Sequence, residues 1–180
     1  LAASGIGRAT ALAYAHAGVS AIFLADKNPV YLARVTEECQ SVSPNSTFRA
    51  FHKAVDISAE SEVVAMVAEA VSNMGGLDYC CNATGILEAP DFFAEIPTST
   101  FDKTMGTNAR GMFLCIREQV KAMRVQTPKE GLHGRPKERG SIVNIASVAA
   151  ILPLPTMSTY SASKHAVVGL TVNAGKYIRP

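Results

Sequence analysis

The chain has 180 residues, 48% hydrophobic and 18% charged, which suits one soluble domain with a sizeable buried core. Its 17 Lys and Arg nearly balance 15 Asp and Glu, and a net charge of +2 gives no electrostatic reason to expect nucleic acid or an anionic membrane as a partner. The apolar runs are far too short for a membrane-spanning helix, and the first residues enter a Gly-bearing turn rather than a leader, so a cytoplasmic location is expected.

Apolar segments alternate in type along the chain. Residues 7–17 are Ala- and Leu-rich with helical spacing, and Gly18 closes that helix. Residues 21–25 form a short apolar strand ending in Asp26. Pro29 opens a helix over 30–42, since proline is tolerated in a first turn. Residues 47–55 predict a strand; Ser58 is expected to cap a helix over 59–74, ended by Gly75 and Gly76. Residues 77–83 are the next strand, followed by a loop carrying Pro90 and Pro97. A long helix runs from about Thr100 to about Gln126. A β-branched strand spans 140–147, and the last helix runs from Ser158 to about Tyr177. Strands alternating with crossover helices predict a doubly wound parallel sheet, covered on both faces, in one domain over 1–180. Residues 127–139, polar, basic and broken by Gly and Pro, read as an exposed loop.

The cysteines (Cys39, Cys80, Cys81, Cys115) match no zinc spacing and read as buried reduced thiols; the scattered histidines are assigned no metal.

A doubly wound sheet binds ligands beyond the carboxyl ends of its strands, where glycines let backbone amides approach phosphates at a helix N-terminus. Ser4-Gly5-Ile6-Gly7 fits that role. Asp26 ends the next strand about 20 residues on, where a carboxylate accepts from a ribose diol. It would repel a 2′-phosphate, favouring NAD over NADP, while the adjacent Lys27 softens that repulsion.

Tyr160 and Lys164 lie four apart on the last helix and share a face. A free phenol is too weak an acid to act as a base at neutral pH; a lysine charge alongside favours the phenolate and makes Tyr160 a candidate acid/base. Ser147 ends a strand thirteen residues earlier, where its hydroxyl can hold a substrate carbonyl. Asn108 is a poor helix former within the long helix, which favours a polar role toward the cleft.

With these motifs in hand the sequence resembles the short-chain dehydrogenase/reductases over nearly its whole length. The glycine turn matches at Ala3-Ser4-Gly5-Ile6-Gly7, Asp56-Ile57 looks like the family's adenine-binding pair, and Asn82-Ala83-Thr84-Gly85 is similar to its Asn-Asn-Ala-Gly segment beside the cofactor. Asn108, Ser147, Tyr160 and Lys164 match its four catalytic positions. The resemblance implies a Rossmann-like fold and NAD(H)-dependent interconversion of a secondary alcohol and a ketone. Tyr160 would exchange the proton with the substrate oxygen. Lys164 would assist it and hold the nicotinamide ribose. Ser147 would orient the substrate, and Asn108 would help hold a water linking Lys164 to solvent. A small-molecule alcohol or carbonyl substrate and a homo-oligomer are implied as well.

Three departures from the family pattern stand out. Leu1 occupies the place of the turn's first glycine, with no strand before it; that strand would lie mid-sheet, between those ending near Asp26 and Ala83. Ala83 and Thr84 replace Asn and Ala. Pro180 follows closely on the catalytic helix, where the family has further strands and a substrate-covering segment. These imply a piece of a longer enzyme, incomplete at both ends, weakly folded and with little turnover by itself. The alternatives are a non-catalytic dinucleotide-binding protein of the same fold and, since it too uses a Gly-rich turn and a strand-end acid, a methyltransferase. The loop over residues 86–97 hints at an apolar substrate pocket.

Overall fold

A computed structural model describes residues 2–130, 136–152 and 154–176. The elements in chain order are α1 (Gly5–His16), β1 (Ala21–Asp26), α2 (Pro29–Val42), β2 (Arg49–Ala54), α3 (Glu60–Met74), β3 (Tyr79–Asn82), α4 (Thr98–Met105), α5 (Met112–Val125), β4 (Ser141–Asn144) and α6 (Ser158–Ala174). Short 3-10 turns lie at Phe93–Glu95 and Val148–Ala150. Every predicted helix and strand is present with shifted ends. Leu1, residues 131–135 of the predicted 127–139 loop, the predicted helix end at Tyr177 and Pro180 lie outside the described residues.

Local chemistry accounts for several boundaries. Asn28 Oδ1 accepts from the Val30 and Tyr31 amides while Pro29 occupies the first turn, so α2 starts there. Gly75, at φ +78°, ends α3 in the left-handed region. Ser58 does not cap α3 as expected. Its amide and hydroxyl both donate to Asp56 Oδ1, at 3.0 and 2.6 Å, and Ala59 holds the cap position. The long helix is interrupted: Gly106–Gly111 forms a π-helical turn between α4 and α5, and Asn108 lies inside it.

Helices cover both faces. Ala11, Ala15, Leu32, Val35 and Cys39 of α1 and α2 pack with Leu24 on one side. On the other, Val63, Met66 and Val67 of α3 and Leu114 and Cys115 of α5 take Phe23 and Ala25, the alternate side chains of β1. α6 joins this second layer, where Val167 meets Met112 and Ile116.

The strands are parallel, as predicted, but they form two pairs. β1 runs beside β2 in register from Ala21 with Arg49 to Asp26 with Ala54; β3 runs beside β4 from Tyr79 with Ser141 to Asn82 with Asn144. Between β1 and β3 lies a cavity of about 380 Å³, lined by β1 and by residues 79–84, roofed by Thr10 and Tyr14 of α1 and floored by Met66 and Ala70 of α3. It lies where the resemblance places a further strand. The Ala2 amide donates to the Ala25 carbonyl at 3.1 Å, so the chain enters along the slot side of β1, at its carboxyl end.

Candidate active site

The carboxyl edge of the first strand pair gathers one group of residues. α1 begins at Gly5, at φ +49°, and its first main-chain bond runs from the Arg8 amide to the Ser4 carbonyl. The amides of Gly5, Ile6 and Gly7 therefore precede the helical ladder, and no acid occupies the first turn. A Cβ added at Gly5 would meet nothing within 4 Å, so the turn faces open space. Open amides at the positive end of a helix suit a pyrophosphate. Asp26 is only 7% exposed, and both its oxygens are engaged: Oδ2 accepts from the Ala3 amide and Oδ1 from the Asn28 amide, each at 2.9 Å. The carboxylate thus ties the glycine turn to the end of β1, and each oxygen retains a lone pair for a ribose hydroxyl.

Asp56 lies beside it, since the Val55 amide donates to the Asp26 carbonyl at 2.9 Å. Lys27 Nζ donates to Asp56 Oδ2 at 2.7 Å, and this bond, together with the two from Ser58, holds the Asp56 carboxyl down at about 2. Ile57 lies so close to Gly111 that a Cβ there would come within 2.8 Å of its side chain, locking the loop after β2 onto the end of the π-turn.

The second strand pair carries the other group. Asn82, at the end of β3, exchanges two 2.8 Å bonds with the Gln119 amide and donates to Asn144 Oδ1 at 2.8 Å; Asn144 in turn donates to Thr171 of α6 at 3.0 Å. This ladder crosses from α5 through β3 and β4 to the helix carrying Tyr160. Beyond Ala83, Gly85 lies against Lys164: a Cβ there would be 3.1 Å from its Nζ and 3.7 Å from Asn108 Oδ1.

Asn108 is 1% exposed and bonded through both polar atoms of its side chain. Its Oδ1 accepts from the Ile86 amide at 2.8 Å, and its Nδ2 donates to the Ile86 carbonyl at 2.8 Å and to Ser163 Oγ at 3.1 Å. The Ser163 hydroxyl donates onward to the Tyr160 carbonyl at 2.7 Å. Lys164, 3% exposed, places Nζ 5.7 Å from the Tyr160 ring centre and donates to the Ile145 carbonyl at 2.9 Å. Burial pushes its pKa below the ordinary lysine value. Ser147 is not in a strand: β4 ends at Asn144, and the Ser147 hydroxyl accepts from the Ala149 amide at 3.2 Å, capping a 3-10 turn that packs on α6.

The structure thus joins Asn108, Tyr160 and Lys164 through Ser163 and Gly85, with Ser147 on the adjoining turn. Ser4 to Gly7, Asp26, Asp56 and Ile57 form the other half of the same edge, across the slot. Ser163, Gln119 and Asn144 are additions. The signal for Ser163 lay in Tyr160-Ser161-Ala162-Ser163-Lys164, where a serine beside the lysine lands on the buried face of the helix. Cys80 on β3 and Cys115 on α5 face the same core, and burial pushes their thiols up to about 12 and about 11, so neither is a nucleophile at neutral pH.

Helices on both faces of parallel strands, a glycine turn at the first helix and a Tyr–Lys pair at the carboxyl edge define a dinucleotide-binding fold of the Rossmann type. The short chain dehydrogenase family model matches residues 2–180, and the chain belongs to that family. It is 39% identical over 174 residues to a short-chain dehydrogenase (fogB) of Aspergillus ruber, covering 94% of this chain and 64% of that protein. It is 36% identical to a 2,5-dichloro-2,5-cyclohexadiene-1,4-diol dehydrogenase of Sphingobium indicum, over 93% of this chain and 60% of that one. Among solved structures, levodione reductase matches with a TM-score of 0.85 at 31% identity, and NAD+-bound xylitol dehydrogenase with 0.84 at 27%; each match covers 98% of this chain and 64% of the other. The chain spans somewhat under two thirds of the length of these relatives. Among the described residues no helix is long and apolar enough to cross a membrane.

Proposed function

We propose that this chain carries the cofactor and catalytic half of an NAD(H)-dependent enzyme interconverting a secondary alcohol and a ketone. The observation that carries the reading is Lys164, buried beside the Tyr160 ring without a carboxylate partner among the described residues. A buried ammonium held by one carbonyl is costly as structure alone, and a site that moves a proton explains it.

In this reading the amides of Gly5, Ile6 and Gly7 take the pyrophosphate, Asp26 the adenosine ribose, and Asp56 and Ile57 the adenine side. Asn82, Ala83 and Gly85 flank the dinucleotide where it crosses to the second strand pair. A bound nicotinamide supplies or accepts the hydride, a chemistry no protein side chain offers. Tyr160 passes the proton to or from the substrate oxygen, Lys164 beside its ring holds the nicotinamide ribose, and Ser147 holds the substrate oxygen in place. Asn108 fixes Ile86, where the 86–97 loop begins, relative to this trio. The neighbour solved with NAD+ and the relatives named for diol oxidation support the cofactor and the alcohol class.

Nicotinamide absorbance, followed with a panel of secondary alcohols and ketones, tests the reading. Turnover lost in Tyr160→Phe with NADH binding retained is the expected result; turnover unchanged by Tyr160→Phe sinks it.

A further inference from the structure

The dinucleotide reading leaves open what sets the choice between NADH and NADPH, and the ion pairs at the adenosine end bear on it. Three charged side chains meet where β1 and β2 end: Asp26, Lys27 and Asp56. Asp26 is buried and spends both oxygens on backbone amides, so its charge is fixed in place. The Lys27 side chain is 73% exposed, yet its ammonium is held by Asp56 Oδ2 at 2.7 Å. Asp56 is itself held: Oδ1 takes two bonds from Ser58, and its amide donates to Glu62 at 2.7 Å. The other cation flanking the glycine turn, Arg8, is engaged by Glu38 at 2.8 Å. Asp26, Lys27, Asp56 and Glu62 sum to −2, and Lys27 and Arg8 are each turned toward a carboxylate of the protein.

We infer that Asp56 is a specificity-determining residue that acts through Lys27: by drawing that ammonium across to β2 it withholds an exposed, flexible cation able to bind a 2′-phosphate, and so keeps the site selective for NADH. This rests on the dinucleotide reading. The chemistry is a competition between two anions for one cation. Lys27 sits next in the chain to Asp26, on an exposed four-carbon stem that can swing toward the ribose; Asp56 is the carboxylate bonded to it, with Glu62 adding a weaker attraction. Losing that carboxylate would raise the local sum by one and break the bond that holds the ammonium.

The test is a titration of NADH and NADPH by fluorescence at low salt, with the unaltered chain, Lys27→Met, Asp56→Asn and the double variant. Asp56→Asn keeps an acceptor for Ser58, and a melting curve for each variant shows that the folded chain is being compared. The unaltered chain is expected to bind NADH more tightly. Asp56→Asn is expected to shift the affinity ratio toward NADPH by about tenfold, the scale of one unit charge contact near a protein surface. Lys27→Met alone should move the ratio by less than about threefold, because the paired lysine is already withheld, and adding it to Asp56→Asn should abolish most of the gain. A gain that persists in the double variant shows Asp56 acting by its own charge and overturns the inference, as does no gain at all. Failure of the unaltered chain to bind either nucleotide overturns the dinucleotide reading itself, a result the other outcomes cannot imitate.

Discussion

The slot between β1 and β3 makes the largest prediction. The perturbation is an apolar, β-branched segment of five residues placed ahead of Leu1. At about 3.3 Å per residue it spans roughly 17 Å, close to the length of the six-residue β1 it would accompany. The Ala2 amide already bonds the Ala25 carbonyl from that side, so the added segment would continue parallel to β1 with its other edge toward β3. Burying five such side chains against Thr10, Tyr14, Met66 and Ala70 is worth about 8–15 kcal/mol, at roughly 1.5–3 each. Ordering five residues of backbone costs about 5–10 kcal/mol. Their difference is about 3–5 kcal/mol, and the ladder hydrogen bonds on two edges, at roughly 1 kcal/mol net each, are set against the cost of ordering the new side chains. A gain of about 4 kcal/mol follows, which for a domain of this size raises Tm by about 10 °C. Thermal melts followed by circular dichroism check it, with a control carrying proline at the middle of the segment, where the missing N–H and fixed φ spoil the ladder. An extended chain that melts no higher than the original, or a proline control that melts as high as the apolar segment, refutes the reasoning.

Smaller changes test the details. Ser163→Ala leaves the Asn108 amide short of a bond in a buried site and should cost about 1–3 kcal/mol by urea unfolding, with turnover falling by more than NADH affinity. Gly111→Ala drives a methyl to within 2.8 Å of the Ile57 side chain and 3.1 Å of its carbonyl, so a loss of about 1–3 kcal/mol is expected by the same measurement. Asp56 has a folded-state pKa depressed to about 2, below its unfolded value, first by the Lys27 bond and then by those from Ser58. Its contribution to stability is therefore present above the ordinary carboxylate range near 4 and is lost as pH falls toward about 2. Asp56→Asn should flatten that acid limb of the stability curve, and an unchanged limb would remove Asp56 from the account.

Much of this arrangement was visible in the chain because it depends on spacing. Tyr160 and Lys164 had to share a helical face, Gly5 and Gly7 had to precede an Ala-rich helix, and alternation of apolar segments required parallel strands. What escaped was the use each polar group makes of its neighbours. Asn108 was legible as out of place in a helix, but not as the centre of a π-turn whose amide clamps Ile86. Asp26 was legible as a strand-end acid, but not as the tie between the glycine turn and Asn28. Ser58 satisfied the rule for a helix cap and was captured by Asp56 instead, two residues away. Ser147, placed by pattern on a strand, lies beyond it: the Ile145 amide makes a bond to the Asn82 carbonyl, and the chain then turns into the 3-10 turn that Ser147 caps. The division of the sheet into two pairs falls where the family resemblance had put a further strand, between the strands ending near Asp26 and Ala83.

The central claim is that Tyr160 and Lys164 serve a hydride exchange between a nicotinamide and a secondary alcohol carbon. Deuterium transfer from C4-labelled NADH to a ketone, read by mass spectrometry of the alcohol formed, tests it most directly with the chain whose slot has been filled. The account predicts label at the carbinol carbon, and none when Tyr160 is replaced by Phe. Label transferred equally by both proteins, or by neither, would contradict it.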